Sequence, residues 1–545
     1  MLKTYTWPKF AYRQSDEQRS GEPRRHAVLV VGAGPIGLSA ALELARHGVE
    51  VVVLDDNDTV SVGSRAVCYA KRPLEIWDRI GRGSGSATLG ERFAERGVRW
   101  QLGRVYFRDE PVYSFDLLPE PQHKMPAMVN LQQYHLEETL VAACAAEPRI
   151  SLRWKHRVVG LVPAADHVAL QVETPDGVFV TEAQWVIACD GANSALRRMV
   201  GADFVGQFFQ DRFLIADIVM QRDLPAERRF WFDPPFHPGQ SVLLHKQPDH
   251  VWRVDFQLGW DADPEVEKQP ERVRERVRAA LGDDVEFELE WVSIYQFACR
   301  RIDRFRHGRV LFAGDAAHQV SPFGARGANT GVQDVDNLAW KLALVLAGRV
   351  PEGLIDSYHD ERAFAADDNL RASTRSTDFI TPKSQGSRLY RDAVLGLAKT
   401  EPFARPLVNS GRLSTPTPYL DSPLNRPDVD AFEGRMHPGT VCADAPVTVG
   451  GRSGWLLELL GEGFVLLAFG PRPPQVELRA GAISARVLHE GSDWLDAKGV
   501  AAQRYDAHPG TVYLIRPDQH VAARWRGFDA ASITAALARA SGQRA

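Results

Sequence analysis

The stretch AVLVVGAGPIGLSAALELARHGVEVVVLD, residues 27–55, decides the fold. It opens on an apolar run without alternation, the pattern of a strand covered on both faces. Gly32-Ala33-Gly34-Pro35-Ile36-Gly37 follows at once, and helical spacing then runs from Pro35 to His47. A second apolar run, VEVVVLD (49–55), ends on Asp55, eighteen residues after Gly37. Together these read as a βαβ unit with a Gly-x-Gly-x-x-Gly turn. Glycines there permit a tight turn and let the backbone approach a pyrophosphate at the positive end of a helix. An acid closing the second strand stands where the ribose hydroxyls of an adenosine are reached. Gly32, Gly34, Gly37 and Asp55 therefore mark a dinucleotide site, and the fingerprint by itself does not choose between NAD and FAD. The nearly apolar stretch Ala27 to Ala45 resembles a membrane span, but its glycines and Pro35 favour the strand, turn and helix.

The remaining composition narrows the class. A chain of 545 residues is too long for one simple core, so two or three domains are expected. Its 65 basic and 70 acidic side chains are well mixed and leave no basic stripe, which argues against nucleic acid as a partner. Five cysteines (Cys68, Cys144, Cys189, Cys299, Cys442) lie far apart and form no CxxC pair. That argues against a disulfide framework, a zinc site and a dithiol centre, so no metal is expected. The opening MLKTYTWPKFAYRQ lacks the apolar core of a signal peptide, and the expectation is a cytoplasmic protein with no membrane contact.

Two further motifs lie downstream. Cys189-Asp190-Gly191-Ala192-Asn193-Ser194 closes the strand WVIAC and precedes Arg197; alone, an Asp-Gly pair signals only a turn. Gly314-Asp315-Ala316-Ala317-His318 follows the strand RVLFA and continues as Pro322-Phe323-Gly324-Ala325-Arg326-Gly327-Ala328-Asn329, then Gly331-Val332-Gln333-Asp334. An acid at a strand end and a glycine-rich loop feeding a helix can bind a polyol chain and present backbone N–H groups to an anionic ring.

In this order and at these separations, the three motifs resemble the class A flavoprotein aromatic hydroxylases of the 4-hydroxybenzoate hydroxylase fold. The resemblance spans roughly 26–380. The region beyond is similar to that of the longer members, such as 3-(3-hydroxyphenyl)propionate hydroxylase and phenol hydroxylase, where a thioredoxin-like domain without working cysteines follows the catalytic body. The resemblance implies an α/β fold: a Rossmann-like FAD-binding domain with an inserted β-sheet substrate domain, plus a C-terminal thioredoxin-like α/β domain. The expected boundaries are an N-terminal arm at 1–25, a discontinuous FAD-binding domain at 26–204 and 301–380, a substrate-binding sheet at 205–300, a helical or linker segment at 381–437, and the C-terminal domain at 438–545. Its Pro, Ser and Asn content makes 400–437 read as a linker crossing the surface. The C-terminal domain, in which no catalytic motif is read, is also a candidate dimerisation module in an expected homodimer.

The resemblance also implies roles. Gly32, Gly34 and Gly37 would cradle the FAD pyrophosphate and Asp55 the adenosine ribose, where the family more often has glutamate. Arg65 would approach the flavin phosphates, and Gln133 would contact the cofactor. Asp190-Gly191 is linked to FAD and nicotinamide binding, and Asp315 would hold the ribityl chain. Pro322 and the loop 324–329, with Gly327 and Asn329, would lie along the isoalloxazine, Arg326 supplying positive charge. The implied reaction hydroxylates a small phenolic substrate with O2 and NADPH or NADH, by way of a flavin C4a-hydroperoxide. Ring attack is easier from a phenolate, so the site should lower or bypass a phenol pKa of about 10. Tyr295, Gln296, His245, Arg253 and Asp255 are candidates for this. In VWRVDFQLG, Arg253, Asp255 and Gln257 share one strand face opposite Trp252, Val254 and Phe256, and the simpler reading is a solvated face opposite a core face. Trp231 and Phe236 could line a pocket but read more simply as core, and His318 reads as structural. A reductase, a halogenase or a non-catalytic flavin-binding sensor remain as alternatives; WVSIYQF (291–297) does not supply the WxWxIP segment of such halogenases.

Overall fold

In the computed structural model, which describes residues 4–543 apart from 64, 82–86, 223, 409–412 and 414, the expected βαβ unit forms. Strands Arg25–Val31 and Val51–Asp55 pair in parallel, with the helix Pro35–Arg46 crossing between them. Pro35 takes the first helical turn, where its missing N–H removes no hydrogen bond. Val28, Leu29 and Val30 are fully buried, which explains the unalternated run. Parallel strands Gly177–Ala188 and Val310–Phe312 extend the sheet on one side and Ile150–Trp154 on the other. All three motifs follow the carboxyl ends of these strands, the edge where open α/β sheets bind ligands.

A second sheet, of eight strands, runs His318–Gln319, Phe287–Ile302, Phe204–Met220, Val251–Leu258, Ser241–Lys246, Arg228–Phe232, Leu102–Phe107 and Glu110–Asp116. Its last two strands come from outside 205–300, as does His318–Gln319. One face carries Leu214, Ala216, Val242, Leu244, Trp252 and Val254 against Val273 and Val277 of the helix Pro270–Leu281. Trp231 and Phe236 pack on this same side, as core. The opposite face turns toward the half built on the parallel sheet. Between the sheets and solvent lies the N-terminal arm: Tyr5 stacks on Tyr134 with ring centroids 4.3 Å apart, and Phe10 stacks on Trp154 at 4.4 Å.

A third sheet of five strands, Arg479–Ala480, Ile483–His489, Phe464–Ala468, Val512–Ile515 and Val521–Trp525, packs against the helix Ala530–Ala540. Trp340, Val350 and Leu354 from the parallel-sheet half share its apolar core. The hairpin between Val512–Ile515 and Val521–Trp525 also brings charge into that half. Arg516 and Lys341 both bond the carboxylate of Glu361, at 2.9 and 2.7 Å, and Arg516 pairs with Asp518. Arg72 donates to Asp336, to the Asp518 carbonyl and to Gln519. Glu43, Asp334, Asp336, Glu361 and Asp518 face Arg72, Arg79, Lys341, Arg362 and Arg516, every one at most 5% exposed. Equal numbers of opposite charges make this burial tolerable, because an unmatched ion in a dry interior is strongly unfavourable.

The segment expected to cross the surface as a linker is instead partly buried. Tyr419 and Leu424 are 2% and 4% exposed, the Tyr419 hydroxyl accepts from Arg362, and its ring stacks on His520. Its Pro and Asn content describes the absence of regular structure, and packing between two domains supplies the burial. Among the described residues, no helix is long and apolar enough to cross a membrane, and no three His, Cys, Asp or Glu side chains form a metal-holding group.

Replacing Glu361 by Gln leaves Arg516 and Lys341 underneutralised in the interior, and the expected loss is about 3–5 kcal/mol of stability, read by urea unfolding. A chain ending near residue 437 uncovers Trp340, Val350 and Leu354. It is expected to aggregate in gel filtration, whereas recovery as a folded monomer would show that the third sheet is a removable module.

Candidate active site

The glycine turn is shaped by its own backbone. Gly32 has φ +107°, and a Cβ there would meet the Cys189 carbonyl oxygen at 2.5 Å. A Cβ on Gly37 would fall 1.8 Å from the Gly32 carbonyl oxygen. Gly34 differs: a Cβ there would meet nothing within 4 Å, so the space above it is open where the helix Pro35–Arg46 begins. Helix N-terminal N–H groups lack intrahelical partners and face that opening. Asp55 accepts from the backbone N–H of Ala33 at 2.5 Å and of Asn57 at 2.8 Å, tying strand end to glycine turn. Burial pushes its carboxyl upward, with those two N–H groups opposing.

The Asp-Gly and Gly-Asp motifs converge on the same edge. Asp190 accepts from the Leu196 N–H with one oxygen, while the other, Oδ1, is buried without a hydrogen-bond partner. Asp315 is accessible along the groove; surrounding protein raises its carboxyl above the usual value, and His318 and Arg65 pull it back. Asp334 anchors the motif from beneath, accepting from the Gly314 N–H at 2.9 Å, His318 Nε2 at 2.7 Å and Arg362 Nε at 2.7 Å. Burial would raise the Asp334 carboxyl, but His318 and Arg362 hold it below its ordinary value. His318 is thus a buried structural partner, as its sequence context suggested.

The loop after this motif reaches across to the second sheet. Pro322 is exposed into the cleft, and Gly327 opens the helix Gly327–Leu346. Ala325 adopts φ +51°, an uncommon backbone conformation for a residue with a Cβ. Asn329 accepts from the Ala70 N–H at 2.8 Å and donates to the Cys68 carbonyl at 2.8 Å, stitching the loop to the strand Cys68–Ala70. Arg326 lies beneath the loop, 3% exposed, with Nη1 donating to the Phe323 carbonyl. Gln133 accepts from the Ala66 N–H at 3.0 Å and so fixes the chain next to Arg65. Arg65 is exposed, and its carbonyl accepts from Arg253 Nη1 at 3.1 Å.

That last bond crosses the cleft, and it corrects the solvated-face expectation. Arg253 and Gln257 are 3% and 6% exposed, because the face they share is roofed by the nucleotide-binding half. Cys68 Sγ lies 3.6 Å from His245 Nδ1, the Trp291 ring fills the space beside Gly63, and Phe213 and Phe297 pack on Phe323 at 4.8 and 5.5 Å. Asp217 and Asp255 flank Arg253 at 3.7 and 3.3 Å. Burial would lower the His245 imidazolium pKa, yet Cys68 and Asp255 reverse this and raise it. Burial would raise the Cys68 thiol, and His245, then Arg228 and Arg253, bring it below its usual value. Tyr295 stands half-buried on the same face, opposite Phe213, whereas Gln296 is exposed on the other side. Sequence reasoning missed Cys68, Arg228 and Gln247 here: strand register brings Arg228 beside His245, and Cys68 reaches them from a separate sheet across the cleft.

Comparison with known proteins fits this geometry. Residues 25–373 match the family described as FAD binding domain. The chain is 30% identical over 534 residues to 6-methylpretetramide 4-monooxygenase of Streptomyces rimosus, covering 94% of this chain and 92% of that one. It is 28% identical over 553 aligned positions to a 3-(3-hydroxy-phenyl)propionate/3-hydroxycinnamic acid hydroxylase of Burkholderia cenocepacia (strain HI2424), covering 95% and 97%. Among solved structures, the flavin-dependent monooxygenase PieE in complex with FAD and substrate shares the fold at a TM-score of 0.80 and 22% identity, covering 95% and 99%. OxyS anhydrotetracycline hydroxylase from Streptomyces rimosus matches at 0.72 and 26%, covering 96% and 100%. The resemblance drawn from the three motifs is borne out: the chain belongs to the FAD-binding-domain family, as an FAD-dependent monooxygenase among the class A flavoprotein aromatic hydroxylases.

Proposed function

We propose that this monooxygenase hydroxylates a phenolic ring, using NADPH or NADH and O2, in the cleft between the nucleotide-binding half and the second sheet. The observation that carries the reading is the meeting of an open cofactor groove, along Gly34, Asp190 and Asp315, with a roofed, polar sheet face around His245, Arg253 and Tyr295. The residues present fit FAD. Gly34 leaves room for a pyrophosphate, Asp190 offers an unpartnered buried oxygen, and Asp315 offers an accessible carboxylate to a polyol. Bound flavin would supply oxygen activation with electrons from the nicotinamide.

The chain's own groups do the rest in this reading. Asp55 binds the adenosine ribose, Arg65 and Gln133 shape the phosphate side, and the start of the helix Gly327–Leu346 presents N–H groups toward the ring system, with Asn329 fixing the loop. Pro322 and Arg326 border the reacting face, and Tyr295 is positioned to hydrogen-bond a phenolic oxygen. The roof over the cleft excludes water, which strengthens every charge inside it. Residues 26–204 and 301–380 form the FAD-binding body in this assignment and 205–300, joined by 102–116, the substrate sheet. The mixed sheet with parallel Phe464–Ala468 and Ile483–His489 and an antiparallel hairpin supports a thioredoxin-like reading of 438–543.

Two outcomes test this. Gly34→Ala is expected to keep the melting temperature and lose FAD affinity at least tenfold, measured by flavin absorbance after gel filtration. Gly37→Ala, which collides with the Gly32 carbonyl, is expected to lose both fold and flavin. In a screen of substituted phenols, at least one should accelerate NADPH or NADH oxidation and yield a hydroxylated product; oxidation yielding only peroxide across the screen would sink the hydroxylase reading.

A further inference from the structure

The five cysteines of the chain stand in unlike surroundings. Cys144 donates to the Leu38 carbonyl, Cys189 lies against Gly32 and Gly37, and Cys442 neighbours Tyr505. Burial pushes all three of these thiols up, and that of Cys299 as well. Cys68 is different. It opens the strand Cys68–Ala70, is 8% exposed, and places Sγ 3.6 Å from Nδ1 of His245 on the second sheet. Its carbonyl accepts from Asn329, which ties it to the loop 324–329. The residue therefore stands at the seam between that loop and the roofed sheet face.

His245 gives this thiol a basic neighbour held in place on both sides. The imidazole is 3% exposed, and its Nε2 is buried without a hydrogen bond, 3.8 Å from Asp255 Oδ2. Asp255 is itself shared: burial would raise its carboxyl, and Arg253, His245 and Arg228 hold it down. Asp217 lies on the far side of Arg253, 3.7 Å from its Nε. With the proton on His245, three cations (Arg228, Arg253 and the imidazolium) face Asp217, Asp255 and a Cys68 thiolate. The ionised pair thus leaves no net charge in the interior, the condition under which buried ions are tolerated. Burial lowers the imidazole and raises the thiol; Cys68 and Asp255 reverse the first, and His245, Arg228 and Arg253 reverse the second. The thiolate is the nucleophilic form of cysteine, and an adjacent histidine is a standard way to activate it.

We propose that Cys68, paired with His245, is an oxidative modification site, converted by hydrogen peroxide to the sulfenic acid. In that step Sγ attacks one peroxide oxygen, an S–O bond forms as the O–O bond breaks, and the leaving hydroxide takes the His245 proton and departs as water. Sulfur loses the two electrons that the peroxide gains, so no further oxidant enters. A flavin monooxygenase supplies peroxide whenever O2 is reduced without a substrate being hydroxylated. Resting on the reading of 324–329 as the flavin-facing loop, peroxide released there meets the thiol that Asn329 ties to it. The added oxygen enters between that loop and the second sheet, and a thiol reductant removes it.

The test adds hydrogen peroxide to the full-length FAD-loaded protein, traps sulfenic acid with dimedone and maps the label by peptide mass spectrometry. It uses no phenol, so its result is separate from that of the substrate screen. At limiting peroxide the Cys68 peptide should carry at least tenfold more label than any other cysteine, and dithiothreitol added before dimedone should abolish it. His245→Gln keeps Cys68 but removes the imidazolium, and should slow labelling at least tenfold in a protein that melts normally. Label spread evenly over the five cysteines, or absent from Cys68, overturns the site. A normally melting His245→Gln protein that labels at the wild-type rate also overturns it. Should His245→Gln not fold, the wild type decides at pH 7, where a free thiol with a pKa of about 8.5 is mostly protonated. Labelling of Cys68 no faster than that of free cysteine in the same solution then overturns it.

Discussion

Glu361, buried between Arg516 and Lys341, is the contact on which the rest of the architecture depends. A carboxylate in such a place is stable only while both cations are there, and one of them arrives from another domain. Burial pulls the Lys341 ammonium down to about 8 despite its ion pair with Glu361. The next residue, Arg362, reaches in the other direction to Asp334, which holds the Gly314 N–H and His318. Two adjacent helical residues thus connect the hairpin of the third sheet to the loop that carries Asp315. The third sheet is, physically, part of the wall behind the groove that carries Asp315.

How much of this could be read from sequence follows from how local each determinant is. The βαβ unit was legible because its strand run, glycine turn, helix and closing acid lie within residues 27–55 and each follows from short-range sterics. The strand Val251–Leu258 was legible from alternation alone. What periodicity could not say is what covers a face. Alternation in Val251–Leu258 separates Arg253 and Asp255 from Trp252 and Val254, but the roof over the polar side is built by Arg65 and its neighbours, 188 residues away. The same holds for 400–437, whose irregular composition reads as an exposed connection until Arg362 and His520 close around Tyr419.

Within the site the division is similar. Gly32, Gly34 and Gly37 were legible because their chemistry is the absence of a side chain at fixed spacing, and Asp315 and Asn329 because they sit in a long contiguous motif. Tyr295 and His245 emerged only as members of an undifferentiated group. Arg228, in the run ERRFWF, looks like one more surface charge at a strand start. Its burial depends on pairing with Ser241–Lys246 and Leu102–Phe107, partners drawn from both directions along the chain.

The Glu361–Arg516 pair spans 155 residues of chain, and that distance has a meaning in time. Ribosomes add about 5–20 residues per second and domains tend to fold as they emerge. The flavin-binding body therefore leaves the ribosome with Glu361 and Trp340 still awaiting the hairpin that completes their surroundings, for roughly ten to thirty seconds at those rates. During that interval a hydrophobic and charged surface belonging to the finished interior stands open, and the nascent chain is the form most exposed to chaperones and to misassembly. Maturation of this oxygenase accordingly waits on the hairpin that carries Arg516.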